Sequence, residues 1–366
     1  MEMPDKEKLE KIAKWTAVAA ATAIPAGIAW WLWRRKHTVE LPACLIDLHL
    51  HLDGSLSIES VRELAAMQGI EIPEDEEELK KLLTVSEGCR DLNEYLEKFD
   101  FPCSLLQTRE ALAKSVENLC AELEEQGVIY AEIRFAPQKH CEQGLTQSEV
   151  VEAAIEGLQR GHLDGSLILC CMRGDDNRAE NMETVETAAK YLGKGVCAVD
   201  LAGAEALFPT ENFRDLFERA AELNVPFTVH AGEADGVESI RTALSFGAKR
   251  LGHGVRSVED ESLLAELAEQ GVTLELCPTS NLNTAIYSDL SEYPLRKLMD
   301  AGVAVTLNTD NMSVSGTTVA EEYFHMIDAF DLTRDELRTL LLNAANAAFT
   351  DEDTRSELIA TIEMSF

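Results

Sequence analysis

The sequence predicts an α/β protein, a (β/α)8 TIM barrel, on three observations. Short apolar, β-branched runs alternate with amphipathic helical stretches from residue 44 onward, and eight such runs can be counted. Strict alternation of strand and helix argues for a parallel sheet, and eight units argue for its closure into a barrel. No G-x-G-x-x-G follows the first run, which disfavours the open doubly wound alternative.

In chain order the expected strands are 44–50, 128–135, 167–172, 196–201, 227–229, 250–252, 272–276 and 304–308. Helical periodicity fills the gaps at 108–127, 147–161, 211–223, 237–246 and 260–270. Several of these stretches open on a cap-like Thr, Ser or Asp and close on Gly. The stretch after residue 345 reads as one helix without chemistry. The segment between the first two strands, 52–127, is unusually long. It holds an acidic helical run at 74–83 and then 91–101, where Leu92, Tyr95, Leu96 and Phe99 share one face. An insertion after a barrel strand sits at the catalytic end and can roof a pocket as a helical lid. Periodicity alone reads the same stretch as an ordinary barrel-packing helix.

Residues 1–36 stand apart from the 37–366 body as a separate extension. A stretch without charge runs from 15 to 33, bracketed by Lys11 and Lys14 before it and Arg34, Arg35 and Lys36 after it. All four tryptophans flank or end it. As a helix it would be roughly 28 Å long, close to the hydrocarbon thickness of a bilayer. Tryptophan at both ends is the pattern of an interfacial belt. The expectation is an apolar N-terminal helix that tethers the body to a membrane. The plainer alternative is an extension, or a helix packed on the body. A signal peptide fits less well, because the basic triplet directly follows the apolar run.

The formal net charge is −34, and the body is more acidic than the whole: beyond residue 36 there are 25 basic residues against 62 acidic ones. Such a field repels nucleic acid and anionic lipid, and no basic cluster is visible that could capture a polyanion. A neutral or cationic small molecule is the expected partner. Nine cysteines without C-x-x-C spacing give neither a zinc knuckle nor a thioredoxin-like motif. Several lie in apolar runs, and reduced thiols place the body in the cytoplasm.

The chemistry concentrates at strand ends. His49 and His51 stand at i and i+2 on the first strand, so both point inward toward the barrel axis. The fifth expected strand runs into His230 and Glu233, the sixth into His253, and the eighth into Asp310 and Asn311. A buried, hydrogen-bonded histidine pair would explain His49 and His51 alone. It does not explain four imidazoles and two carboxylates on one rim. Imidazole with carboxylate suits zinc, and three or four protein ligands with an open position make a catalytic arrangement. Such an ion brings the pKa of its water to about 7. Glu233, if buried, would keep its proton and could deliver it, while His253 could orient the water or take its proton. His37, His140, His162 and His325 fall in loops or helices and are expected on the solvated surface.

With these residues in view, the chain resembles the adenosine deaminase family of the metal-dependent amidohydrolases over roughly 44–345. The motifs that carry the likeness are H-L-H-L-D-G at 49–54, H-A-G-E at 230–233, L-G-H-G at 251–254, C-P-T-S-N at 277–281 and N-T-D at 308–310. D-L-A-G at 200–203 and E-I-R-F-A-P at 132–137 add to it. The resemblance implies one Zn2+ held by His49, His51, His230 and Asp310. It implies that Glu233 protonates the purine ring nitrogen beside the attacked carbon, while His253 and Asp310 manage the attacking water. Gly203 would meet the ring through its backbone, Asp53 the sugar hydroxyl, and His51 and Asn311 would also face the substrate; the 91–101 helix would be the lid. Better-known members carry aspartate where this chain has Asn311, whose amide donates a hydrogen bond without having to be protonated first. No modified-lysine position ends the fourth strand, so one metal is expected.

The implied reaction is hydrolysis of adenosine, and of 2′-deoxyadenosine, to inosine or deoxyinosine plus ammonia. A sister activity on adenine, a modified adenosine or AMP is the nearest rival. A purine-binding barrel without catalysis is the distant one, disfavoured by the intact ligand set and Glu233.

Overall fold

Eight parallel strands build the body in the computed structural model, which describes residues 41–366 apart from Glu87. The 1–36 extension, its 15–33 helix and His37 lie outside the described residues. Among those described, no helix is long and apolar enough to cross a membrane. The strands are β1 (Leu45–His51), β2 (Val128–Phe135), β3 (Asp164–Met172), β4 (Val196–Ala202), β5 (His230–Ala231), β6 (Arg250–His253), β7 (Thr273–Leu276) and β8 (Ala304–Leu307). β1 to β4 pair in sequence order as one sheet and β5 to β8 as another.

Two bridges join the sheets into a barrel. Val199 meets Phe227 between β4 and the run leading into β5, and Leu50 meets Asp310 where β1 passes the end of β8. The second seam is doubly bonded: His51 N donates to Asp310 O at 2.7 Å, and Asp310 N donates to His49 O at 2.8 Å. Asp47 fastens it further, accepting from Thr309 Oγ1 at 2.6 Å and from His49 N at 2.9 Å. The 227–229 run, expected as a strand, contributes single bonds rather than a ladder. Thr228 N reaches Val199 O, and Val229 O accepts from Gly252 N. It thus occupies the barrel wall, while the continuous pairing falls two residues later, on His230 and Ala231.

The helices begin where their caps put them. Thr146 and Glu149 form a reciprocal capping box on Gln147–Arg160, Thr108 caps Arg109–Glu125, and Asp260 caps Glu261–Gln270. Gly247 and Gly271 end their helices in the left-handed conformation. The expected 211–223 helix starts as a 3-10 turn, Thr210–Phe213, before Arg214–Glu222. The 91–101 stretch is not one rod. It divides into Leu92–Leu96, the 3-10 turn Glu97–Phe99 and Asp100–Leu105. Its buried Leu92 and Tyr95 pack with Val314 rather than against the barrel strands, and Tyr95 Oη lies 2.7 Å from Ser315 Oγ.

Inside the barrel the packing is ionic as well as apolar. Asp47, Glu132, Arg134, Asp200, Arg250 and Glu275 are all buried. Arg134 donates to Asp200 at 2.9 Å and Glu275 at 2.8 Å, while Arg250 donates to Glu132 at 2.6 Å and Glu275 at 2.7 Å. Glu132, Arg134, Asp200, Arg250 and Glu275 are all ion-paired, and Asp47 is hydrogen-bonded to Thr309 and His49 N, the condition for tolerating them away from water.

Candidate active site

His49 and His51 leave the end of β1 on one face and meet His230 from β5 and Asp310 beyond β8. One donor atom from each lies within 4.8 Å of the rest. Four ligands held tetrahedrally at ~2.0–2.1 Å from a metal stand roughly 3.3–3.4 Å apart. His51 Nε2 lies 3.3 Å from His230 Nε2, and His49 Nε2 and His51 Nε2 each lie 3.4 Å from Asp310 Oδ1. His49 Nε2 is buried with no hydrogen-bond partner.

The far nitrogens explain the orientation. His49 Nδ1 is 2.7 Å from Glu275 Oε2 and His230 Nδ1 is 2.8 Å from Asp200 Oδ2. A proton held on His49 Nδ1 against Glu275 leaves its Nε2 lone pair aimed at the centre, and the Asp200 carboxylate beside His230 Nδ1 favours the same tautomer there. The sign of the charge fits too. Around the cluster two arginines are outnumbered by Glu132, Asp200, Glu275 and Asp310. Asp47, whose carboxyl burial pushes up to about 6, adds to the negative side above that pH. The donor chemistry, spacing and sign of the charge all fit a metal ion. A second grouping swaps in His253 and Cys277. Its members are spent elsewhere, because the Cys277 thiol donates to Glu275 O and His253 Nδ1 accepts from Asn281.

Two glycines of the motifs make room for this. A Cβ on Gly252 would come 2.8 Å from His49 Cε1, and one on Gly54 would come 1.8 Å from Asn311 Oδ1. Two site residues pay in backbone geometry instead: His253 and Asp310, neither a glycine, sit at φ 59° and 61°. Such conformations cost roughly 1–3 kcal/mol each and concentrate at functional sites.

The cluster opens into a cavity of about 490 Å³, whose walls include Asp53, Phe99, Gly203, Glu233, His253 and Asn311. All nine residues singled out from the sequence therefore line this cavity or the metal cluster at its base. Leu92, Leu96 and Phe99 form part of its wall.

Glu233 is buried, and desolvation, aided by the nearby charges of Asp310 and Glu205, raises its carboxyl well above the usual range. Its environment therefore favours the protonated form. His253 Nε2 stands 3.7 Å from Glu233 Oε2 and 4.0 Å from Asp310 Oδ2. Burial holds His253 well below the ordinary imidazole range, so it is neutral. Its tautomer follows from a chain of bonds: Tyr293 Oη donates to Asn281 Oδ1, and Asn281 Nδ2 donates to His253 Nδ1, both at 3.0 Å. The proton is left on Nε2, facing the cavity. Ser280, beside Asn281, donates to Asp310 Oδ2 at 2.6 Å.

Sequence reasoning missed Glu205. Its buried carboxylate accepts from the backbone N–H groups of Gly232, Glu233, Ala234 and Asp235 at 2.7–3.0 Å, and from Ser239 Oγ at 2.5 Å. It clamps the loop that carries Glu233. The available signal was a lone acid shortly after D-L-A-G, which has no reading in one dimension. Glu275 was missed as well, though a charge inside the apolar run L-E-L was a visible cue. His162 and His325 are exposed as expected. His140 is a correction. It is fully buried, because the 3-10 turn Pro137–His140 folds its ring back to 5.7 Å from that of Phe135.

Residues 44–365 match the family model described as adenosine deaminase. The chain is 47% identical over 331 residues to an adenosine deaminase of Haemophilus ducreyi, covering 88% of this chain and 96% of that one. To an adenosine deaminase of Enterococcus faecalis it is 40% identical, with 88% and 96% covered. Among solved structures it is similar to the adenine deaminase of Arthrobacter aurescens, with a TM-score of 0.78 and 26% identity over 87% of this chain and 98% of that one.

Proposed function

Since the chain belongs to the adenosine deaminase family and is a hydrolytic deaminase, we propose that it converts adenosine, and 2′-deoxyadenosine, to inosine or deoxyinosine and ammonia. The observation that carries this is one cavity holding a buried acid, Glu233, whose burial favours its protonated form, beside four donors spaced to hold a metal. Three imidazoles and a carboxylate make zinc the ion of choice, bound by His49, His51, His230 and Asp310. When bound, zinc supplies the Lewis acidity that makes water a competent nucleophile near neutral pH.

The chain's own groups then have distinct tasks. Glu233 gives its proton to the purine nitrogen beside the carbon bearing the amine. His253, with its proton fixed on Nε2, donates a hydrogen bond to the attacking oxygen, and Asp310 accepts the proton that oxygen sheds and passes it to the amine. The carbon–nitrogen bond then breaks, ammonia leaves, and the hydroxyl proton returns to Glu233 as the carbonyl forms. Asn311 turns its oxygen toward Gly54 and offers its amine to the ring. Gly203 approaches the base through its backbone, and Asp53 meets the sugar. The helices of the 91–105 segment serve as the lid. A 5′-phosphate suits this pocket poorly. Arg173 spends its guanidinium on Phe208 O, Thr210 and His230 O. Lys139 shares the cavity wall with Asp53, Asp100 and Glu142, three carboxylates that a phosphate would also meet.

The deciding experiment follows ultraviolet conversion of adenosine, adenine and AMP by the full chain carrying one zinc. A kcat/KM for adenosine at least about 10²-fold above the others is expected. Preference for adenine or AMP would overturn the substrate assignment.

The Glu205 clamp gives a second expectation. In Glu205→Gln an amine replaces an oxygen that receives buried N–H groups, and each donor left unpaired costs about 1–3 kcal/mol. A kcat about 10–100-fold lower with little change in KM is expected. Removing that negative charge also eases ionisation of Glu233, so the alkaline limb of the kcat profile should move to lower pH. A profile that stays in place would show that Glu205 only holds the loop.

A further inference from the structure

Beside the main cluster, three more donors converge from distant parts of the chain. Asp53 follows β1, Cys103 stands on the helix Asp100–Leu105, and His140 ends the turn Pro137–His140. One donor atom from each lies within 4.8 Å of the others. Cys103 Sγ is 3.6 Å from Asp53 Oδ2. His140 is completely buried and neither ring nitrogen makes a hydrogen bond, although the Leu106 carbonyl is close enough to favour a proton on one of them. Asp53 Oδ1 is likewise buried and unpartnered. Buried polar atoms are seldom left unspent, and three in one place ask for a ligand.

We propose that Asp53, Cys103 and His140 form a second, weaker site for a borderline-soft divalent cation, Zn2+ or Cd2+, and that filling it obstructs the substrate cavity. One carboxylate oxygen, one sulfur and one imidazole nitrogen make a three-ligand set with an open fourth position. Sulfur and nitrogen select these ions over Mg2+ and Ca2+. With metal–sulfur and metal–oxygen distances of ~2.3 and ~2.0–2.1 Å, tetrahedral ligands would stand roughly 3.6 Å apart, so an ion could replace the thiol proton that now bridges Sγ and Oδ2 at 3.6 Å without moving either atom far. Binding exchanges the thiol proton for the ion: the S–H bond breaks, a sulfur–metal bond forms, and the proton passes to solvent. Burial and the Asp53 charge hold that proton on Cys103, and the Lys139 ammonium stands near both groups. Both effects make this site weaker than the main cluster, which contains no thiol.

The obstruction rests on the reading of this cavity as the substrate pocket, since Asp53 and Cys103 both line it; the binding of metal does not. The test titrates the full chain, loaded with one Zn2+, with Cd2+. It follows the thiolate-to-cadmium absorption band, the zinc and cadmium retained per chain, and adenosine turnover. The expected result is one cadmium per chain with zinc retained. The band and a rise in KM should saturate together. Cys103→Ser should lack the band and need at least tenfold more cadmium for half-inhibition, and His140→Gln should also bind more weakly, each referred to its own rate before cadmium. An unchanged band and affinity in Cys103→Ser, displacement of the zinc, or no second equivalent would overturn the proposal. Turnover at one zinc tests the deaminase reading separately.

Discussion

A Glu233→Gln enzyme is expected to keep its fold and its ion and to lose about 10³-fold in kcat. Glutamine matches the shape of the acid and can still accept from Thr284 Oγ1, 3.5 Å from Glu233 Oε1. What it lacks is a transferable proton. In the wild type that proton persists at neutral pH because burial, with Asp310 and Glu205 nearby, raises the carboxyl well above its usual range. The sign follows: a raised pKa keeps the working, protonated form at neutrality and removes it only as pH climbs through the raised value. The wild-type rate should therefore fall on the alkaline side, and the small residual rate of the variant should lack that limb. Retention of more than a tenth of the activity would take the proton-donor role away from Glu233.

Stripping the metal is expected to abolish turnover and to lower the melting temperature together. A ligand at a thousandfold excess over its Kd adds about 4 kcal/mol to the folded state, on the order of 10 °C for a domain of this size. The physical cause is local. Without the ion, His49 Nε2 has no partner, the facing Nε2 atoms of His51 and His230 can share at most one proton, and the buried negative charge around them goes uncancelled. Zn2+ should restore rate and melting point at one equivalent, whereas Mg2+, which prefers oxygen ligands and keeps its water, should restore neither. Full activity in the chelated, metal-free chain would remove the cluster from the mechanism.

The barrel and its rim were legible because both rest on short-range patterns. Alternation gives the strands and the inward face, and His49 and His51 share that face by period alone. The strand end at His230 was placed by its motif, although the pairing fell later than the apolar 227–229 run suggested, since apolar character marks burial and not hydrogen bonding. Less could be read of what supports the rim. Glu275 and Asp200 act on imidazoles that lie 226 and 30 residues away along the chain, a relation no local period encodes. The charges inside β1, β2, β4, β6 and β7 were the clue, being too costly to bury unless paired. His140 shows the limit from the other side. A position just past a strand reads as surface, and only the turn's direction decides that it is not.

The seam between β1 and the end of β8 has a consequence for biosynthesis. The same residues, His49, His51 and Asp310, supply both the backbone bonds that shut the barrel and three of the four candidate metal donors. A nascent chain holds all three histidines by residue 230, yet the fourth donor emerges last and arrives only as the first and last strands meet. Contacts of such sequence separation form late and slowly. Competence for catalysis is therefore a checkpoint on complete synthesis: a chain released before the eighth strand has a half-formed ring and no working centre.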